Sequence, residues 1–457
     1  MHPSRYRRSD LFALFLAWCL FLAAALFPAC GGKGSASGGD SGGNDGNSQV
    51  EPGTDTWQRV AIATVSDGGL LLPQVKAVHD GTGMLHISYF DDSTYTDGHY
   101  TLHHVAWDMV AEAEVSREQV VDVDNCRTLA AALDPDGMPL VAYQGGQVRA
   151  GGSEQQSDVM VSVLQGSTWR EYTGGIGFVE RNPVFEDGLA GKHVAMAVDG
   201  TGLIHLCYQF FYEGIDAMNF NYPDLLHVAK DRAALDSAGE EVTVEGNMYN
   251  PNGTASEQNR VGAHAAMVID AQGNPAVFYS ADLAPNMSDS DTKGLRVAIY
   301  DGQAWQREWV EQGFEVSGIS CGLDAQGNLC VAYSVEGEYT DSRGVTHGRC
   351  LKFATRIGTA WTTSFVDEST HCGQHCSLAF DASGNPAIAY YALQNHSGSL
   401  ILKDLMLARR SGTVWDRQTV ASTGDIGTYN TLLFDNSGSA WICTYSGTDR
   451  TIYLFHR

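Results

Sequence analysis

Short runs of alternating side chains fill residues 54–457, and a recurring turn punctuates them at regular intervals. Before Asp270, bulky Met267 and Ile269 alternate with smaller Ala266 and Val268; after Gly273, Val277 and Tyr279 share one face. A period of two with aromatic and β-branched residues predicts strands. The punctuation is Asp-x-x-Gly, beginning at Asp80, Asp134, Asp199, Asp270, Asp324, Asp381 and Asp435. Tyr89, Tyr143, Tyr208, Tyr279, Tyr333 and Tyr390 each lie nine residues beyond their Asp; the seventh copy has Thr444 there and Tyr445 next. Asp-x-x-Gly suits a type I turn closed by a left-handed glycine. Such a three-residue loop pairs the residue before Asp with the one five after it, so bulky positions meet bulky positions.

A third strand is expected at Leu295–Ile299, Leu351–Ala354 and Leu405–Ala408, and a fourth begins at Trp169, Trp305, Trp361 and Trp415. Four antiparallel strands repeated seven times predict an all-β chain, a seven-bladed β-propeller. The last copy lacks its Trp strand, whereas Trp57–Ile62 precedes the first copy as an orphan. Moving that N-terminal strand onto the last blade closes the ring and removes an open edge.

The turns Arg356-Ile357-Gly358-Thr359-Ala360-Trp361 and Arg410-Ser411-Gly412-Thr413-Val414-Trp415 resemble degenerate Asp-boxes of sialidase-like, or BNR-repeat, propellers. The likeness spans about residues 56–457 and is to the broad superfamily. A sialidase would also need an arginine trio and an Arg-Ile-Pro type segment; no such segment is present and nothing singles out three arginines. Seven-bladed polysaccharide lyases, which use His and Tyr, share the general architecture.

The N-terminus reads as an address. Arg5, Arg7 and Arg8 precede an apolar run from Leu11 to Phe27, as in a secretory signal. Phe27-Pro28-Ala29-Cys30 resembles the lipobox of bacterial lipoproteins, which implies a signal peptide over 1–29 and a lipidated Cys30 at the mature N-terminus. Gly31 after it resembles lipoproteins sorted to the outer membrane of the cell envelope. Residues 30–53 are rich in Gly, Ser and Asp and read as a flexible tether to a propeller over 54–457. The formal charge of −26 becomes −28 once Arg5, Arg7, Arg8 and Asp10 leave with the signal. Such acidity excludes nucleic acid as a partner. The partners expected are a membrane, through the anchor, and a glycan or surface protein; the chain is expected to be a monomer.

Loop lengths sort the two faces of the ring. Both kinds of turn within a blade are short and share one face. The opposite face carries the long segments 90–100, 144–157, 209–223, 280–293 and 334–348, where binding sites usually reside. Asp91, Asp92, Tyr95 and Asp97, then Phe211, Tyr212 and Asp216, then Asp282, Asp289 and Asp291 combine acids with aromatics, suited to sugar stacking or calcium or to plain solvation. Six residues before each repeat Asp, where the innermost strand begins, stand Gln74, Thr128, His193, His264, Gly318, His375 and Tyr429. His193, His264 and His375 are candidate ligands of a divalent metal and, with Tyr429, candidate catalytic groups, or they plug the channel by packing. Gln74, Arg127, Lys192, Tyr95 and Tyr212 are candidate ligand-binding residues, Arg127 and Lys192 as a local basic pocket. Cys321 and Cys330 fall on opposite faces of their hairpin and should not pair. Cys372 reads as a disulfide partner, or Cys376 as simply buried. The function expected is ligand binding on the long-loop face; the alternative is a carbohydrate-active lyase or hydrolase using the channel-mouth residues.

Overall fold

The computed structural model describes residues 57–457 apart from segments 67–73, 92–98, 125–127, 149–154, 176–186, 214–222, 237–238, 240, 247–259, 284–291, 342, 370 and 397–399. Cys30, Tyr95 and Arg127 therefore lie outside the described residues, as do the signal and tether. Seven four-stranded antiparallel blades form the propeller, from blade 1 (innermost strand Val75–His79) to blade 7 (innermost strand Ile426–Phe434). Blade 7 has the order Gln58–Thr64, Thr451–His456, Ala440–Ser446, Ile426–Phe434, so the N-terminal strand is its outer edge.

The repeat turn has the expected register. Ile269 pairs with Pro275 and His79 with Leu85, one before and five after their Asp. In blade 4 the Gly273 N–H donates to the Asp270 carbonyl at 3.0 Å, and the carboxylate accepts from the N–H groups of Gln272 and Asn274. Aspartate is required because its short carboxylate reaches two amides that would otherwise lack partners in the tight loop.

Between blades lie apolar layers, and the repeat Tyr residues sit in them with almost no exposure. In five blades a carboxylate on a fourth strand accepts the buried phenol, and in blade 1 the Tyr89 hydroxyl accepts from Arg117. Tyr208 donates to Glu241 at 2.5 Å and Tyr279 to Glu245 at 2.5 Å; Tyr143, Tyr333 and Tyr390 donate to Glu171, Glu311 and Asp367. A buried hydroxyl without a partner costs on the order of 1–3 kcal/mol, so the acid makes the Tyr tolerable there. Innermost strands are stitched to one another as well. Leu378 N–H donates to Ser320, Leu432 N–H to Ser377 and Ala77 N–H to Thr431, each linking neighbouring blades.

Two expectations need revision. Segment 144–157 is largely strand: Gly145 to Val148 pairs with Asp158 to Gln155, extending the blade 2 hairpin beyond the ring. Segment 334–348 contains a small hairpin, Tyr339–Thr340 with Thr346–His347, turned by its own Asp341-x-x-Gly344. Both revisions arise because backbone pairing continues wherever two chains already run antiparallel. Among the described residues the seven cysteines are free thiols. Cys372 is buried and donates to the Asp367 carbonyl at 3.3 Å, so the disulfide reading gives way to burial. Cys321 packs toward the core between blades 4 and 5 and Cys330 toward that between blades 5 and 6, on opposite faces as expected.

Candidate functional site

Four of the residues six before the repeat Asp share an uncommon backbone. His193, His264, His375 and Tyr429 have φ of 52°, 54°, 51° and 54°, and Gly318, their counterpart in blade 5, has 54°. A left-handed conformation costs a side-chain-bearing residue about 1–2 kcal/mol, and such strain gathers at functional positions. Local sequence explains how it is reached. Gly262, Gly373 and Gly427, two residues earlier, also have positive φ, and two register shifts flank each His or Tyr. The glycine is needed twice over. A Cβ on Gly373 would lie 3.0 Å from Leu351, and one on Gly427 3.0 Å from Leu405, in each case against the third strand of the preceding blade. The double bulge twists the strand start so that the side chain leaves the interblade core.

The rings then meet in pairs across blade boundaries. His193 and His264 have centroids 4.9 Å apart, and His375 and Tyr429 4.6 Å, with Tyr391 6.2 Å from His375. His264 is exposed and the other three are half-buried, as expected of groups lining an open concavity. Burial holds the His375 imidazole down at about 4, helped by Lys76 and His264 and opposed by Asp425 and Glu336. Burial also raises the Tyr429 phenol. At neutral pH the His375–Tyr429 couple is therefore a neutral base beside a neutral acid. Two ion pairs flank it. Glu336 accepts from Arg349 at 2.8 Å and Asp425 from Lys403 at 2.6 Å; Asp425 also accepts from Tyr391 at 2.9 Å.

This geometry separates the sequence candidates. His193, His264, His375 and Tyr429 line the mouth, but as two couples. Among the described residues no three His, Cys, Asp or Glu are grouped to hold a metal ion. The rings instead pack in two couples, His193 on His264 and His375 on Tyr429. Gln74 accepts the Leu129 N–H at 2.9 Å and so ties blade 1 to blade 2. Lys192 and Tyr212 sit in the strands Asp187–Val198 and Leu203–Glu213, where Lys192 pairs with Gln209 and Tyr212 with Gly188; their side chains lie outside the described residues.

Sequence reasoning missed Lys76, and counting back four residues from the repeat Asp finds it. That layer holds Ala130, Ala195 and Ala266 in blades 2–4 and Ser320, Ser377 and Thr431 in blades 5–7; only blade 1 has a long cation. Lys76 is coupled electrostatically to His375 and Cys376 of blade 6, and burial lowers its ammonium from the ordinary value. Two residues further along every inner strand, at Val78 and its counterparts, the layer is apolar or glycine throughout. A separate cavity of 380 Å³ between blades 5 and 6, lined by Phe353, Phe380, Pro386 and Arg410, opens among the short turns at the other end of the inner strands.

No family model matches the chain, and no curated protein matches it. Solved structures do. A polysaccharide lyase of the PL25 ulvan lyase family aligns with TM-score 0.55 at 10% identity, over 87% of this chain and 93% of that one. The polysaccharide lyase Uly1 aligns with TM-score 0.50 at 12% identity, over 87% of this chain and 91% of that one. The NanB sialidase of Streptococcus pneumoniae aligns with TM-score 0.43 at 9% identity, over 83% of this chain and 84% of that one. Fold and site define a seven-bladed β-propeller with a strained imidazole–phenol ring at one end of its channel. At such identities the likeness to the two lyases is one of fold.

Proposed function

We propose that this chain is an exported, lipid-anchored propeller that binds a saccharide at the channel mouth. One observation carries the reading. Four blades independently place an aromatic ring in a strained left-handed conformation at the same register, and all four rings are accessible. Packing alone would not select a costly backbone four times. Aromatic faces rimmed by charged hydrogen-bonding groups suit a sugar ring, which presents C–H faces and hydroxyl edges. The fold shared with polysaccharide lyases agrees with this but does not carry it. A glycan array on residues 50–457 tests it. Binding lost in Tyr429→Ala and His264→Ala supports the reading; equal binding by wild type and both variants, or none by wild type, rejects it.

A second reading, that the mouth is catalytic, rests on His375 and Tyr429. A neutral imidazole accepts a proton and a neutral phenol donates one, the two functions needed to abstract a proton from a sugar ring and expel the linked oxygen. Turnover of any polysaccharide that disappears in His375→Ala and Tyr429→Phe would establish it. Array binding with no turnover would leave binding alone.

A further inference from the structure

Two neighbouring blades carry an Arg and a Trp at the same register, and in one of them the pair lacks its acid. Arg356 pairs with Trp361 across the outer strands of blade 5, and Arg410 with Trp415 across those of blade 6. In blade 5 both side chains reach Glu308 of blade 4. Arg356 Nε donates to Glu308 Oε1 at 2.7 Å, and Trp361 Nε1 donates to the same oxygen at 2.9 Å. Trp169 of blade 2 likewise donates to Glu118 of blade 1 at 2.8 Å. Glu308 lies three residues beyond Trp305 and pairs with Val297; the residue three beyond Trp361, pairing with Phe353, is Ser364. A serine side chain is too short to span the gap between blades. Among the described residues Arg410 therefore has no acidic partner, and its Nε bonds the Gly412 carbonyl at 3.0 Å. The Trp415 indole N–H is buried and, among the described residues, has no hydrogen-bond partner. The space that a glutamate would take is the 380 Å³ cavity, which Ser364 and Arg410 both line.

We propose that this cavity is a separate binding site for a small carboxylate with an apolar body, whose carboxylate takes the place that Glu308 holds one blade earlier. The donors are those of the Glu308 contact. The Arg410 guanidinium lies over Phe353 at 5.6 Å and over Trp415 at 6.0 Å, and its terminal amino groups bond to no described residue. They suit a carboxylate, which an arginine fork can hold through two bonds. The rest of the lining is apolar on two sides: Phe353 and the exposed Ile357 from blade 5, Phe380 and Pro386 from blade 6. An inorganic anion would leave those surfaces wet, whereas an aryl or alkyl body covers them. Asp324, the acid among the lining residues, already accepts from the Gln326 and Asn328 amides and from the Asn328 side chain. Its charge is thus spent within its own turn. The cavity opens among the short turns, away from the imidazole–phenol couples, so this inference stands apart from the saccharide reading.

The test is a ligand-observed NMR titration of the full chain with sodium phenylacetate, phenylacetamide or sodium acetate at constant ionic strength. Phenylacetate should bind. Phenylacetamide lacks the charge and acetate lacks the ring, so each should bind about tenfold more weakly or worse. Arg410→Gln should weaken phenylacetate binding about tenfold to hundredfold. Ser364→Glu restores the carboxylate that the preceding blade has at this register. It should abolish phenylacetate binding and raise the melting temperature, because Arg410 and Trp415 then gain their acceptor. A loss of binding in a variant that melts above wild type cannot come from a damaged fold. The inference is overturned if wild type does not bind phenylacetate, or binds phenylacetamide or acetate as tightly. It is equally overturned if Arg410→Gln or Ser364→Glu keeps wild-type affinity, or if Ser364→Glu melts no higher than wild type.

Discussion

Acid should unfold this propeller through two buried histidine pairs. In blade 1 the His86 Nδ1 and His104 Nε2 atoms are 3.0 Å apart; in blade 3 His205 Nδ1 and His227 Nε2 are 3.1 Å apart. Trp169 covers His104 and Trp305 covers His227, with centroids 5.1 and 5.0 Å away. One neutral ring donates to the other, and a second proton has nowhere to go. Burial, then the facing imidazole, brings both His104 and His227 down to about 3. They are 1% and 9% exposed, so solvent screens them little. A folded value below the unfolded one, about 6.5, means that the unfolded chain binds more protons between the two. Stability from these groups is therefore complete above about pH 6.5 and is lost as pH falls. At pH 5 each contributes a loss of about 2 kcal/mol, roughly 4 kcal/mol together. His86 and His205 are also lowered by burial and act in the same direction. Urea unfolding at pH 7.5 and pH 5.0 measures the loss directly. A His104→Gln, His227→Gln double variant keeps a hydrogen-bonding amide and removes the titration, so its pH dependence should be shallower by about two protons. A wild type equally stable at both values, or a double variant with the wild-type slope, would refute the reasoning.

Deleting Trp57–Thr64 exposes Thr451–His456 as an open edge and should cause aggregation and a large fall in melting temperature, whereas deleting 31–50 should not, as light scattering and melting of the two truncations will show. Gly373→Ala forces a Cβ to 3.0 Å from Leu351 at φ 99° and should cost about 2–3 kcal/mol by urea unfolding. Tyr279→Phe leaves Glu245 with Arg296 at 3.1 Å but without its phenol, a loss of about 1–3 kcal/mol in the same assay. Cys30→Ser should move the exported protein from the membrane to the soluble fraction, and retention after a high-salt wash would place the anchor elsewhere.

The ring was legible because its punctuation is chemical. Asp-x-x-Gly works through one carboxylate and one left-handed glycine, both visible in sequence, and from their spacing follow register, faces and the orphan strand. The same count located His193, His264, His375 and Tyr429 at one layer. Their conformation was not legible. Gly262 and Gly373 were visible two residues earlier, but a pair of bulges depends on how closely the preceding blade's Leu225 and Leu351 approach. The bulges turn the rings into couples, a pairing that equal register alone does not show. Gln74 shows a similar limit. Its register matches the histidines, yet its amide serves Leu129 of the next blade. Lys76 was hidden for another reason: a lone lysine in a strand of Val and Ala gives no signal until its six counterparts are seen to be small.

The polarity of the N-terminal strand bears on how the mouth is presented. Gln58 pairs with His456, whose ring stacks on Trp441 at 4.2 Å, and Trp441 donates to Asp435 of the last short turn. The chain thus enters the ring on the short-turn face. It crosses the blade once, with Thr64 pairing with Thr451, and reaches Gln74 at the mouth. Seven residues of strand, Gln58–Thr64, span about 23 Å, so entry and mouth are separated by the thickness of the ring. That strand therefore does two things. It supplies the backbone partners that blade 7 otherwise lacks, and it brings residue 57 into the ring on the short-turn face. Closure through the C-terminal strand instead would have left the start of the chain beside the mouth. The choice of terminus for the outer strand thus sets the face on which residue 57 enters the ring, opposite the imidazole–phenol ring.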